Sequence, residues 1–413
     1  MLRALRHRDF RLLWMGQSVS LIGDGIYLVA IAWLVYDISN EPSALAIVGL
    51  AWTLPLVAAL LLAGVLTDRF ERRRLLVVSD LLRGAAIGAL GVLALTGDAE
   101  LWHVIVLVVA YGLGEALFQP AFTAIVPEVV PHEHLLQANA LRELMEPLGY
   151  RFAGPAFGGL LIAVFGVGTA LLVDAASFAV AAVAVSLIAR RPVARGETGS
   201  VRDDLRAGFS YVRAHAWLWG TLAGAALYLL VTYGPYEVLL PYIIRNDLGG
   251  DAATFGTVLA AGGLGSIAAA LLLSRTGAPR RHVTFMWCGW AVGGALDIGL
   301  AVAASAWQMC AISFVSFGLS TAGMIVWNTL MNTRVPAEML GRVSSVDWFV
   351  SIGLTPVSFA LTGPVSEWLG ARTTLGVAGA VGLTTILFLL IPGMRDPEQR
   401  PLPGPRAQPI SST

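Results

Sequence analysis

Twelve apolar stretches divide this chain, near residues 12–35, 44–67, 75–97, 101–124, 138–165, 168–190, 217–243, 253–274, 282–304, 307–331, 344–366 and 372–392. Each is long enough for a helix to cross a hydrocarbon core about 30 Å thick, which takes roughly 20 residues. Backbone N–H and C=O groups find no water in lipid, so such segments close their hydrogen bonds internally as helices. The pattern predicts an all-α membrane protein with twelve transmembrane helices.

Charge placement orients these spans. Of 27 arginines, 22 fall in the N-terminal segment, in the gaps after spans two, six, eight and ten, and at the C-terminus. Only Arg245 and Arg372 lie in gaps on the other side, while Arg83, Arg142 and Arg151 fall inside spans. Arginine excess marks the cytoplasmic face, which puts both termini inside an inner (cytoplasmic) membrane. The net charge of zero then says nothing about partners, because the asymmetry runs across the bilayer.

Composition removes several functions. Only 13% of residues are charged, against about 25% in soluble domains. There is no lysine, hence neither a P-loop lysine nor a Schiff-base lysine. Cys288 and Cys310 begin adjacent spans at opposite faces, too far apart for a disulfide. No cleavable leader is expected, since the first apolar run is long enough to span. His132 and His134 sit in a short loop without cysteine partners and read as a solvated turn, not a metal site. No cofactor is implied.

The spans form a tandem repeat. Pro127, Pro147 and Pro155 recur as Pro336, Pro356 and Pro364, each 209 residues on, and Gly154 before Pro155 recurs as Gly363. Two parallel six-helix halves are one transporter architecture, with a cavity at the membrane midplane and rocking about it. The expected organisation is residues 1–190 for the first bundle, 191–216 for a cytoplasmic linker, 217–394 for the second bundle, and 395–413 for a disordered tail. In the linker, Leu205, Phe209, Val212 and Ala216 recur at helical spacing opposite Arg202, Arg206 and Arg213, an amphipathic helix suited to the cytoplasmic leaflet.

Gly64-Val-Leu-Thr-Asp68-Arg69-Phe-Glu-Arg72-Arg73-Arg74 resembles the signature loop of the major facilitator superfamily. The resemblance implies a cytoplasmic latch between the halves, carried by Gly64, Asp68, Arg69 and Arg72. The second half has Ser274 where the aspartate would stand. Arg8-Asp9-Phe10-Arg11-Leu-Leu-Trp14, Gly23-Asp24-Gly25, Pro127 through Leu141, and Pro336 through Val343 are similar to the enterobactin-exporter and macrolide-efflux branch. Gly154-Pro155-Ala-Phe-Gly158-Gly159 resembles the helix-bending motif of drug/proton antiporters. That motif carries a further glycine four places earlier, where this chain has Tyr150 with Gly149 beside it.

Ionisable residues within spans should face an aqueous cavity or a partner. Asp24 and Glu115 lie near mid-depth and are the candidate proton carriers; a structural hydrogen bond is the competing account of Asp24. Arg142, Glu143, Glu146 and Arg151 suggest an ion-pair network, with Arg142 and Glu146 sharing a helix face and Arg151 reaching Glu115. Asp174 and Glu237 lie closer to the outer surface. Gln119, Tyr233, Asp297, Trp327 and Asn328 are candidates for lining a substrate cavity, where aromatic surfaces suit bulky apolar or cationic molecules.

The expectation is a secondary active transporter that exports a small organic molecule, drug- or siderophore-like, in exchange for protons by alternating access. A facilitator or importer is the alternative within transport, and a membrane sensor or enzyme the alternative outside it. The partners are a small-molecule substrate, protons and the lipid bilayer, with no nucleic acid and a monomeric chain.

Overall fold

The structure, a computed structural model, describes residues 3–189, 201–399 and 402. Twelve helices in it are long and apolar enough to cross a membrane. They are α1 (Arg8–Ile38), α2 (Pro42–Arg69), α3 (Arg72–Thr96), α4 (Leu101–Val129), α5 (in segments from Leu135 to Phe165), α6 (Val167–Ser186), α7 (Ala216–Asn246), α8 (Ala252–Thr276), α9 (His282–Val302), α10 (Ala306–Arg334), α11 (Ala337–Gly353 and Thr355–Leu369) and α12 (Ala371–Thr384, tightening to a 3-10 turn through Leu390).

The packing is duplicated. In the first half α1 packs on α5 and α6, α2 on α4, and α3 on α4 and α6. The same partners recur in the second half, α7 on α11 and α12, α8 on α10, and α9 on α10 and α12. Repeat-related residues punctuate it identically. Gly166 joins α5 to α6 and Gly370 joins α11 to α12, both at φ 82°, a conformation that glycine alone adopts readily. Pro147 and Pro356 each stand near the start of a fresh segment where the fifth and eleventh helices break. Without an N–H, proline suits the first turn of a helix and not its interior.

The α5 break is a change of helical period. Leu135–Glu143 is α-helical, Glu146–Ala153 is π-helical, and Gly154–Phe165 resumes the α-helix. The Gly154 N–H donates to the Gly149 carbonyl, five residues back. Such insertions add one residue to a turn.

The halves meet through α2 on α11 and α5 on α8. At the face opposite the arginine-rich gaps, here the outer face, Asn40 and Asn246 exchange amide hydrogen bonds of 2.6 and 3.1 Å. Arg245 pairs with Asp37 at 2.6 Å, and the Tyr36 hydroxyl donates to the Val238 carbonyl at 2.7 Å. Further in, Gly49 faces the Phe359 ring and Gly263 faces the Arg151 backbone, near the middle of α8. None of these cross-half contacts lies in the inner half of the helices.

The outer end of α8 is pinned by its cap. Asp251 accepts from the Thr254 N–H at 2.8 Å and the Thr254 hydroxyl at 2.7 Å. These bonds hold its carboxyl below the usual carboxylate range. Asp251→Ala should lower stability by about 1 kcal/mol, as loss of an N-cap does. The carboxylate's contribution is full above the unfolded pKa of about 3.9 and fades as pH falls through the lowered folded value. Thermal unfolding of the two proteins should therefore converge in acid.

On the inner side the linker helix (Val201–Ala214) packs on the first segment of α11, and Gly208 abuts the Arg342 backbone. On its apolar side Val212 is buried against the second half, while Phe209 stays 58% exposed. The Glu398 carboxylate caps α9, accepting from the Thr284 N–H at 2.6 Å. Residues Asp396–Gln399 thus form a docked turn, so order extends into the segment expected to be a disordered tail. The linker residues 191–200 and the tail from 403 lie outside the described residues.

Candidate functional site

Ionisable and aromatic side chains gather where the halves part at mid-depth. On α4, Glu115 accepts from the Trp52 indole of α2 at 2.7 Å. On the π-helical part of α5, Arg151 donates twice to Glu146, at 3.2 and 3.1 Å. The Arg151 guanidinium stands 5.4 Å over the Phe317 ring of α10, and Tyr236 of α7 packs on that ring from another side. Tyr233 meets Phe359 edge-on. Glu237 of α7 lies within Coulombic reach of Arg151 and accepts no hydrogen bond among the described residues. Two carboxylates, Glu146 and Glu237, and aromatic faces thus gather at one guanidinium, with Glu115 on the neighbouring helix. Such a surface is electrostatically matched to an amphipathic molecule with positive charge.

Two expected pairings are corrected. Arg142 pairs with Glu143 at 3.4 Å, not with Glu146, because the α-helical register is lost at the break between them. Arg151 pairs with Glu146, not Glu115, because residues five apart share a face where the helix is π-wound. Two cavity candidates also move. Trp327 is buried inside the second half, edge-on to Trp217, and donates to Asp347 at 3.1 Å. Asp297 is buried between α9 and Gly379 of α12. Gln119 follows Glu115 by four residues and Asn328 follows Phe317 by eleven, so each lies on the same helix face as that residue.

The glycines of the fifth helix make close backbone approaches. A Cβ on Gly154 would sit 2.5 Å from Gly25 Cα, and one on Gly158 would sit 2.9 Å from Ile26 Cα. Gly159 faces the other way, 2.7 Å from the Ala252 carbonyl of α8. Gly149 lies against Ile22 of α1, as does Gly154. The extra residue in the π turn rotates Gly149 onto the face that a glycine four places earlier would occupy in an α-helix. The departure at Tyr150 is thereby absorbed by backbone geometry.

At the signature loop, Arg72 pairs with Glu128 of its own half, and Arg73 donates to the Ile188 carbonyl at 2.5 Å. The side chains at Gly64, Asp68 and Arg69 lie outside the described residues.

A second cluster, largely missed by reading the sequence, is sealed inside the first half. Arg83 of α3 is 2% exposed and bonds Asp80 at 2.7 Å. It reaches Asp24 of α1 at 3.9 Å and lies between the Phe118 and Phe178 rings, 4.5 Å from each centroid. Tyr111 donates to Asp24 at 2.9 Å and Gln17 donates to Asp80 at 3.3 Å. Asp174 of α6, expected near the surface, is fully buried beside them. The available signal was Asp80 and Arg83 three apart in an apolar run, a spacing that places both on one helix face.

A groove of about 270 Å³ follows the α1–α6 seam, lined by Val19, Ile22, Gly23, Val173, Ser177 and neighbours. Its walls are apolar apart from Ser177, and none of its lining residues belongs to the Arg151 cluster.

The family described as transmembrane secretion effector has a model that matches residues 1–403. The multidrug efflux pump Tap of Mycolicibacterium fortuitum is 30% identical over 392 residues, covering 91% of this chain and 93% of that protein. Macrolide efflux protein A of Streptococcus pyogenes is 23% identical, covering 90% and 93%. Among solved structures, a bacterial homologue of the iron transporter ferroportin in an inward-facing state superposes with a TM-score of 0.70 at 15% identity, covering 95% and 99%. An inward-facing bacterial homologue of the lysosomal transporter Spinster gives 0.67 at 15% identity, covering 96% of each chain. These two share the fold.

Proposed function

Because this chain belongs to the transmembrane secretion effector family, a multi-pass transporter family of the major facilitator superfamily, we propose that it is a proton-driven exporter of bulky amphipathic drugs. The reading rests on one observation: Arg151, its partner Glu146 and Glu237 gather with the rings of Tyr233, Tyr236, Phe317 and Phe359 at mid-depth between the halves, beneath the closed outer seam. The efflux functions printed for the relatives point the same way.

In this account the chain works as a monomer in the inner membrane with both termini in the cytoplasm. Residues 1–190 and 217–394 are the rocking halves, joined by the linker at 191–216. Substrate enters a chamber between the halves from the cytoplasm while the outer seam is closed. The halves then rock, the Asp37–Arg245 and Asn40–Asn246 contacts part, and substrate leaves outward. The latch of Gly64, Asp68, Arg69 and Arg72 holds the inner side shut in that second state. Protons entering from outside load Asp24 and Glu115, and their release to the cytoplasm resets the cycle.

The test is efflux of ethidium, a fluorescent amphipathic cation, from proteoliposomes with an imposed proton gradient. Asp24→Asn and Glu115→Gln should each lower gradient-driven efflux by roughly tenfold or more, equivalent to about 1.4 kcal/mol. Unchanged coupling in both would sink the assignment. Efflux indifferent to a proton uncoupler would instead favour a facilitator.

A further inference from the structure

The buried cluster of the first half has more acid than base. Facing one another are Asp24 and Tyr27 on α1, Asp80 and Arg83 on α3, Tyr111 and Glu115 on α4, and Asp174 on α6. Arg83 is the sole cation among these groups. Its short bond goes to Asp80, at 2.7 Å, which also takes the Gln17 amide. Asp24 has the longer Arg83 contact of 3.9 Å and the Tyr111 hydroxyl. Asp174 has only the Ser177 hydroxyl, at 3.3 Å on Oδ1.

The remaining oxygen of Asp174 is bare. Asp174 is 0% exposed, and its Oδ2 has no hydrogen-bond partner. A Cβ on Gly23 would lie 2.4 Å from Asp174 Oδ1, so the carboxyl rests on the α1 backbone next to Asp24. An ionised carboxylate without a partner is not sustained in an apolar interior; it neutralises by binding a proton. Two nearby carboxylates relieve their repulsion by sharing one.

We propose that Asp174 and Asp24 form a proton-binding site buried inside the first half, apart from the Arg151 cluster and holding one shared proton in the outward-closed state. This deepens the proton-driven reading above and rests on it for its role in transport. The site has a route along α4. Tyr111 hydrogen-bonds Asp24, and Glu115 stands one turn along the same face of α4, where it meets Trp52. A proton leaving Asp24 is taken by the Tyr111 oxygen as the Tyr111 hydroxyl turns and gives up its own proton toward Glu115. The carboxylate left behind is compensated by Arg83, which already reaches Asp24.

Infrared difference spectroscopy of the purified full-length chain tests this directly. The wild type minus Asp174→Asn spectrum should show, at neutral pH, the C=O band of a protonated carboxylic acid that shifts in D₂O. Asp24→Asn should move that same band. Should Asp174→Asn fail to fold, Ser177→Ala keeps the carboxyl and removes its hydroxyl donor, and should shift the band without abolishing it. A carbonyl region unchanged by Asp174→Asn, or by Ser177→Ala in that event, would overturn the site. Loss of the band when sodium is added at constant pH would also overturn it, making the cluster a metal-cation site. If the band is present but ethidium efflux ignores the uncoupler, the proton site stands and the proton-driven reading falls.

Discussion

Arg83→Met should lose about 3–5 kcal/mol of stability at neutral pH, the loss expected when one partner of a buried ion pair is removed. Methionine keeps the aliphatic stem that packs on Gly114, where a Cβ would sit 2.7 Å from Arg83 Cγ. It deletes the guanidinium held between Phe118 and Phe178. Asp80 is then buried at 0% exposure with only the Gln17 amide, near Asp24. Without the cation, the folded state binds protons more readily than the unfolded chain, so the variant's stability rises as pH falls. Thermal unfolding in detergent should show a deficit that is largest at neutral pH and narrows in acid. Asp80→Asn added to Arg83→Met should restore part of it. Equal melting of wild type and variant at neutral pH would remove Arg83 as the electrostatic keystone of this half.

Gly256→Val should shift the balance between transport states by about 5–150-fold, the range for 1–3 kcal/mol of differential strain. A Cβ at 256 would lie 2.3 Å from the Pro155 carbonyl and 3.1 Å from Gly159 Cα. Both obstacles are backbone of α5 in the other half, so no side chain can rotate away. If the halves rock as proposed, the strain falls on the state with the outer seam closed and is relieved when they part there. A cysteine at Asn246, in a background lacking Cys288 and Cys310, should react faster with a membrane-impermeant maleimide when Gly256→Val is present. Ethidium efflux should fall while the melting temperature changes little. Unchanged labelling would mean that the α5–α8 seam does not gate the outer side.

The fold was legible because its signals are additive along the chain. Hydropathy located all twelve helices, and prolines 209 residues apart exposed the repeat. Pro147 and Pro356, read only as markers of the repeat, turn out to stand where the fifth and eleventh helices break. The site was only partly legible. Asp24 and Glu115 stood out as acids in apolar runs, and both have buried or chamber-side partners. The partners were misjudged wherever they depended on rotation about a helix axis. Arg151 was expected on Glu115 and pairs with Glu146; Trp327 was expected in the cavity and packs on Trp217.

By itself, the sequence determined the environment, the number of spans and their duplication, because a backbone in lipid has few ways to satisfy its polar groups and must repeat them span after span. Tertiary structure alone decided which charge meets which. One residue inserted as a π turn at Glu146–Ala153 swings every later side chain of α5 around its axis, returning Gly149 to α1 and turning Arg151 toward the second half. The gathering of Asp24, Asp80, Arg83 and Asp174 from three helices likewise depends on how those helices are rotated against one another, and spacing along the chain does not encode that angle.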